Sequence, residues 1–563
     1  MTQDVKSKIA KLIKIDGVSD KETESFLIVP PDSKLGDWAL PCFRFAKALR
    51  KSPVVIAEEL AKSIEKPDFL SEIAAVNGYL NFRLNKDGLA ERTIAKILAE
   101  GQNYGQKESN GKTVCIDYSS VNIAKPFHIG HLLTTVIGAS LYRIHKKLGY
   151  NAVGINHLGD WGTQFGKLIC AFKRWCSEEE LLERGIGALT EIYVRFHAEA
   201  EKDPSLNDEA RRYFKLIEDG DPEATRLFGL FKDITLREVQ KTYDRLKVTF
   251  DSYNGESFYN DKMQPVLDEL ERLGLLTESE GAKVVDLSEY DMPPCLLVKA
   301  DGATLYATRD LAAAFYRKKT YDFDKCLYVV AYQQNLHFKQ VFKVLELMGK
   351  EWAKDMIHVP FGMVSLEDGA MSTRHGKVVL LEDVLNKAVS KSLDIIRIKN
   401  PDLENKELVA EQVGVGAVIF SALYNNRIKD MVFSYDKVLN FDGETAPYVQ
   451  YTVARCKSVI KKAGAISEDV DYSGLDNPES ETVINLLNRF PEVLEACIEK
   501  YEPCCLARYL VDLCREYNRF YLNNRIINEA EGIKNARAML TEATRIVLEE
   551  GLRLLGISAP EKM

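Results

Sequence analysis

At 563 residues the chain is too long for one hydrophobic core, and about three to four domains are expected. A 46% hydrophobic and 28% charged composition describes a globular protein; no run approaches the roughly 18 apolar residues of a spanning helix, and the N-terminus MTQDVKSKIAKLIKIDG alternates charged with apolar residues, so no membrane partner and a cytoplasmic location are expected. The net charge of −9 neither announces nor excludes a nucleic-acid partner, because phosphate affinity follows clustered Lys and Arg, not the whole-chain sum.

From the N-terminus, residues 1–108 mix helical and strand signals, with FRFAKALRKSPVVIAEELAKSI reading as helix and GYLNFRL as strand. Arg44, Lys47, Arg50 and Lys51 bunch near the start of that helical run, which by itself describes a solvated face. The turn-rich GQNYGQKESNGK leads into KTVCIDYSS, a short apolar strand followed by a polar loop and a helix. Apolar runs AVGIN, CLYVVAY and IHVPFGMVSL recur between helical stretches over residues 109–404, the alternation of a mainly parallel βαβ sheet. Between about 173 and 290, charged helical sequence reads as material inserted into that α/β domain.

From 405 to 563 strand signals nearly vanish. Val483, Leu486, Leu487, Phe490, Leu494 and Cys497 recur at helical spacing, as do Leu506, Leu510, Leu513, Cys514, Tyr517 and Tyr521, with Arg508, Arg515, Arg519 and Arg525 on or beside the second stripe. The expected architecture is a Rossmann-like α/β domain with helical insertions, an N-terminal α+β domain and a C-terminal all-α bundle. The 11 cysteines are scattered and none form a CxxC pair, so a reduced compartment and no zinc site are expected.

The densest chemical signal is SSVNIAKPFHIGHLLTTVIGASLYRIHKKLGY, residues 119–150, which reads as strand end, loop and helix start. A helix N-terminus at the carboxyl end of a parallel sheet offers free N–H groups and a positive dipole to phosphate. His128 and His131 could hydrogen-bond phosphate oxygens there, and Gly130 leaves room for a flat purine near the backbone. A second string, NHLGDWGTQFGKL at 156–168, places Asn156, His157, Asp160 and Gln164 among turn-forming glycines.

The first string resembles the HIGH motif of class I aminoacyl-tRNA synthetases. Its longer context, Asn122 with Ala124, Lys125, Pro126, Phe127, His128, Ile129, Gly130, His131 and Leu132, is similar to the arginyl-tRNA synthetases, and the second string resembles a signature of the same family. GAMSTRHGKVVLLEDVL at 369–385 resembles the region of the second class I signature, KMSKS, but carries Ala370 and Thr373 where that signature has lysines. FDGETAPYVQYTVARCKSVIKK and LARYLVDLCREYNRFYLNN resemble the anticodon-binding DALR domain, and PPDSKLGDWALPCFRFAKALRKSP resembles the family's N-terminal domain, which contacts the tRNA elbow.

The resemblance implies three substrates: L-arginine, ATP with Mg2+, and the tRNA for arginine, bound before adenylate forms. It implies an arginine site of Asp117, Asn122, Tyr306, Asp310 and Gln334, with Asp310 anchoring the guanidinium and Tyr306 packing against it; the family more often has Glu where Asp117 stands. It places Ser120, His128, Gly130, His131, Met371, Ser372 and Lys377 at ATP, and His128, His131, Lys125 and Arg374 in catalysis. Lys125 is the favoured replacement for the missing KMSKS lysines, ahead of Arg374 and Lys377. A monomer is expected from the family. A class I synthetase for another amino acid, a small-molecule nucleotidyltransferase and a catalytically silent tRNA-binding paralogue stay open at this point.

Overall fold

The alternating apolar runs build the expected parallel sheet. In the computed structural model, which describes residues 2–30, 35–84, 88–125, 127–367, 379–467 and 469–563, four parallel strands run in the order Met356–His358, Lys325–Tyr328, Thr113–Asp117, Asn151–Ile155. The central Thr113–Asp117 strand is covered on both faces, which is why Val114, Cys115 and Ile116 read as one continuous apolar run. Asp117 sits at its carboxyl end, in register with Ile155 on one side and Tyr328 on the other.

The chain divides into two units. One comprises residues 105–455, 494–511 and 549–563 and holds the parallel sheet. The other comprises 1–104, 456–493 and 512–548.

In the sheet unit, helix Leu132–Lys147 follows the central strand and is buried along almost its whole length. Gly138 permits that packing: a Cβ there would fall 2.2 Å from the Cβ of Tyr118. At the far end of the helix, buried Lys147 pairs with buried Glu550 at 2.9 Å. Helix Lys406–Tyr424 is long and apolar enough by composition to cross a bilayer, but most of it is buried inside this unit, where it packs on helix Leu381–Lys399.

Two stretches depart from the helical expectation. The end of the expected helical insertion forms a hairpin, Leu276–Ser279 with Ala282–Val285, extended by Cys295–Val298 into a three-stranded antiparallel sheet. Its two-residue turn places Glu280 (φ 51°) and Gly281 (φ 78°) in the left-handed region, the twist a tight hairpin demands. Past residue 405, Met431–Phe433 forms a strand that pairs in parallel with Val364–Leu366. Three residues carry too little periodicity to announce themselves.

In the other unit, strands Trp38–Pro41, Tyr79–Leu84 and Leu70–Val76 form an antiparallel sheet against helices Thr2–Leu12 and Pro53–Ser63, around Ile9, Leu40, Ile56 and Phe82. The long helical run expected near residue 50 is broken there. Arg50 is left-handed (φ 51°), and a new helix starts at Pro53 with the Ser52 hydroxyl capping Val55 N–H. Helix Leu89–Glu100 and Tyr104 are tied to helix Pro478–Lys500 by Asn488 Nδ2 donating to Thr93 Oγ1 at 2.8 Å and Tyr104 OH donating to Leu487 O at 3.0 Å.

Candidate active site

His128 caps a short 3-10 turn, Ile129–His131, that runs directly into helix Leu132–Lys147. Gly130 N–H donates to His128 Nδ1 at 3.1 Å, so in the neutral ring the proton sits on Nε2. The two imidazoles lie 4.0 Å apart. Burial, with Lys125 beside it, lowers the His128 pKa; burial and the neighbouring His128 push His131 down to about 3. At neutral pH both rings are therefore uncharged hydrogen-bonding groups. Phe127 packs its ring against His131 at 5.1 Å, while Ile129 and Leu132 are fully buried and anchor the turn from below.

The loop leading into this turn is held in an unusual backbone conformation. Ser119, Ser120 and Ala124 all have positive φ (72°, 48° and 59°), a cluster of left-handed non-glycine residues that persists only where surroundings hold it. The holding groups come from helix Pro222–Leu246: Thr235 Oγ1 accepts from Ala124 N–H at 3.0 Å, and the Tyr243 hydroxyl bonds Ser119 Oγ at 2.7 Å and Asn156 Nδ2 at 2.9 Å. The inserted helix thus braces the loop that leads into the histidine turn, a role its sequence did not announce.

The second signature lies against the first. Asn122 and Gly159 are bridged by Ile123 N–H donating to Gly159 O and Gly159 N–H donating to Val121 O, at 3.1 and 2.9 Å. A Cβ on Gly159 would sit 2.3 Å from Asn122 Oδ1, so the glycine makes room for that side chain. Fully buried Asp160 accepts from Ser257 N–H and Oγ at 2.8 Å each and from Lys232 Nζ at 2.7 Å, fixing the loop that carries Glu256. The third signature is also brought in. Ile129 N–H donates to Val379 O at 3.1 Å and Leu381 N–H to Phe127 O at 3.0 Å, which lays residues 379–381 along the histidine turn. Pro126, Met371, Ser372, Arg374 and Lys377 lie outside the described residues.

The expected amino-acid residues occupy the carboxyl ends of the strands and the helices that follow. Asn122 and Gln334 are exposed, and Tyr306, the first residue of helix Tyr306–Tyr321, is 68% exposed. Asp310 lies one turn on, half-buried, with Oδ2 hydrogen-bonded to His337 Nε2 at 2.6 Å. Burial pushes its carboxyl up, but His337, His157 and Arg317 outweigh that and hold it below the usual range, so it is ionised.

Asp117 stands differently. It is buried, with Oδ2 taking Arg317 Nη2 at 2.6 Å and Oδ1 taking the Ser120 hydroxyl at 2.9 Å. Both oxygens are engaged by the protein, with Arg317 itself a guanidinium. Ser120, expected at ATP, is tied to that pair. Lys125 is exposed, close enough to depress His128.

A further carboxylate joins this group. Glu256 is raised to about 7, first by burial and then by Asp310 and Asp160, against the pull of Arg309. Neither Glu256, Arg317 nor His337 was expected from the sequence. The sequence signal that could have found Glu256 is a lone acid in NGESFY, between aromatic residues and beside a glycine; in the structure a Cβ on that Gly255 would lie 2.5 Å from Asp160 Oδ1.

A neutral imidazole pair stands at a helix start, the second and third signatures are hydrogen-bonded to the loop and turn that carry it, and half-buried Asp310 and Glu256 influence each other's charge nearby in the same unit. The sequence model for class I (R) tRNA synthetases, catalytic domain, matches residues 93–435, and this is a class I aminoacyl-tRNA synthetase fold. The arginyl-tRNA synthetase N-terminal domain model matches residues 1–84 and the DALR anticodon binding domain model 449–563.

The chain belongs to the arginyl-tRNA synthetase family. It is 53% identical to the arginine–tRNA ligase of Clostridium beijerinckii and 52% identical to that of Clostridioides difficile, each over 100% of both chains. Among solved structures, Thermus thermophilus arginyl-tRNA synthetase superposes with a TM-score of 0.80 at 27% identity, covering 95% of this chain and 96% of that one.

Proposed function

We infer that the chain is an arginine–tRNA ligase: it activates L-arginine with ATP to arginyl-adenylate and transfers the arginyl group to the 3′-terminal adenosine of its cognate tRNA. The observation that carries the arginine assignment is the pairing of an ionised Asp310, held by His337 at 2.6 Å, with Glu256 near enough for Asp310 to raise its pKa. Two carboxylates suit a guanidinium, which presents N–H groups along two edges. Asp310 is the anchor, Glu256 the second acid, Asn122 and Gln334 hydrogen-bonding neighbours, and Tyr306 a wall that packs when the pocket fills. Asp117 we assign to support, since both of its oxygens already have internal partners.

In the first step the arginine carboxylate attacks the α-phosphorus of ATP, which enters as its magnesium complex, and pyrophosphate leaves. No protein nucleophile is required; catalysis is positioning and stabilisation of charge on the phosphorus oxygens. His128 offers Nε2–H to phosphate, His131 stands beside it, and Gly130 makes room for the His128 ring, which a Cβ there would meet at 2.8 Å. Ser120 supports the site through Asp117. Lys125 supplies positive charge near the leaving pyrophosphate, with Met371, Ser372 and Arg374 at the KMSKS position and Lys377 just after it.

In the second step a ribose hydroxyl of the terminal adenosine, the 2′-hydroxyl in a class I enzyme, attacks the adenylate and AMP leaves. Residues 1–108 contact the tRNA elbow and 405–563 the anticodon, where aromatic and arginine side chains suit unpaired bases. The enzyme works as a cytoplasmic monomer. ATP–pyrophosphate exchange tests the reading: arginine supports exchange when tRNA is present and not without it. Exchange with another amino acid in place of arginine, or none under either condition, overturns it.

A further inference from the structure

The arginine anchor is itself held by a side chain from a different helix. Asp310 comes from helix Tyr306–Tyr321, and the imidazole that meets its Oδ2 at 2.6 Å is His337, the third residue of helix Asn335–Leu347. An aspartate carboxylate rotates about a soft terminal torsion, and without a partner it samples a broad range of orientations. A guanidinium fork binds well only when both carboxylate oxygens present one edge. Among the described residues His337 is the hydrogen-bond partner of this carboxylate.

His337 is well placed to hold the orientation. The next residue, Phe338, is buried, stacks on His358 at 4.6 Å and lies 5.0 Å from the ring of Tyr328. His358 in turn bonds Val330 O at 2.9 Å. The backbone that carries His337 is therefore pinned to the two strands beneath it, while its own side chain stays about a quarter exposed at the rim of the acidic cluster.

We propose that His337 is a positioning residue for amino-acid selection: by occupying one lone pair of Asp310 Oδ2 it fixes the carboxylate edge that receives the substrate guanidinium, without itself touching arginine. This rests on Asp310 being the guanidinium anchor. The electrostatics agree with it, because His337 is the strongest influence that offsets the burial of Asp310 and keeps it ionised.

The test uses the full-length enzyme with tRNA and compares His337→Phe, His337→Gln, Asp310→Asn and the Phe/Asn double variant. The expected result is that His337→Phe raises the arginine KM by about 10- to 100-fold, the loss of a hydrogen bond to a charged group, with kcat and the ATP KM within about threefold. His337→Gln, which keeps an N–H donor, recovers most of that loss, and His337→Phe adds little on the Asp310→Asn background. A merely structural role predicts instead that kcat and both KM values shift together and that the penalty persists on that background; either result overturns the inference. If Asp310→Asn raises the arginine KM while His337→Phe does nothing, the inference alone is overturned. If Asp310→Asn leaves the arginine KM unchanged, the placing of the guanidinium fails, and the inference with it.

Discussion

Arg317 and Asp117 form an ion pair of 2.6 Å across 200 residues of sequence, with side chains 1% and 6% exposed. Burial opposes the charge on Arg317, but Asp117 and the ring of Tyr328, 5.2 Å from the guanidinium, keep it protonated. The pair ties helix Tyr306–Tyr321 to the end of the central strand, and so sets where Asp310 stands relative to the loop at residues 119–124. Removing one partner strands a buried charge, at about 3 kcal/mol or more. Arg317→Met is expected to lower Tm clearly in calorimetry, and the double variant with Asp117→Asn to recover part of the loss. Additive losses would show that the two side chains act independently.

Arginine binding at Asp310 and Glu256 is expected to depend on pH. With Glu256 at about 7, part of the enzyme carries a protonated Glu256 at neutral pH, and an arriving guanidinium favours the ionised form. Arginine binding then releases a proton. The arginine KM is expected to fall as pH rises from about 6 to about 8, while the ATP KM stays flat. Glu256→Gln should weaken arginine binding and flatten the profile. A wild-type profile retained in that variant would place the titrating group elsewhere.

Gly159 gives a prediction about space. Its missing Cβ would lie 2.3 Å from Asn122 Oδ1, and the clash is with the tip of a short, exposed side chain. Gly159→Ala should therefore swing Asn122 away at little cost in stability, raising the arginine KM with Tm nearly unchanged. A large drop in Tm would mean that the bridge to residues 121–123 has broken instead.

Lys125→Ala should reduce the rate of adenylate formation by about 100-fold, the scale of a lost transition-state contact, with tRNA affinity unchanged in filter binding. An unaltered exchange rate would move the working cation to Arg374 or Lys377.

Acid stability follows from the buried imidazoles. His145, buried with Nδ1 at 2.8 Å from Leu141 O, is lowered to about 4 by burial, and His131 to about 3. Between the ordinary histidine pKa of about 6.5 and these values the unfolded chain binds protons that the folded chain does not, so stability present above about 6.5 is lost as pH falls. His145→Gln should make the denaturant midpoint less sensitive to pH between about 6 and 4.

What the sequence made legible was local. The spacing of His128 and His131 and the string from Asn122 to Leu132 lie within eleven residues, and their backbone turn follows from that order. The parallel sheet was legible because each strand buried on both faces leaves an unbroken apolar run. The hairpin at 276–285 and the strand at 431–433 were not, since one rests on a two-residue turn and the other on three residues. The acidic site was half legible. Asp310 lay in a readable string, whereas its partner His337 is 27 residues away and Arg317 meets Asp117 across 200. Such pairings depend on how helices dock on the sheet. The braces from Thr235, Tyr243 and Lys232 escaped for the same reason, in a helix whose surface looks merely solvated.

The most direct measurement of guanidinium selection is the steady-state aminoacylation of tRNA by Asp310→Asn, with arginine and ATP varied in turn. The expected result is an arginine KM raised by about 100-fold, as when a charged hydrogen-bonding partner is lost, and an ATP KM within about twofold of the parent. Equal changes in the two constants, or an arginine KM that does not move, would contradict it.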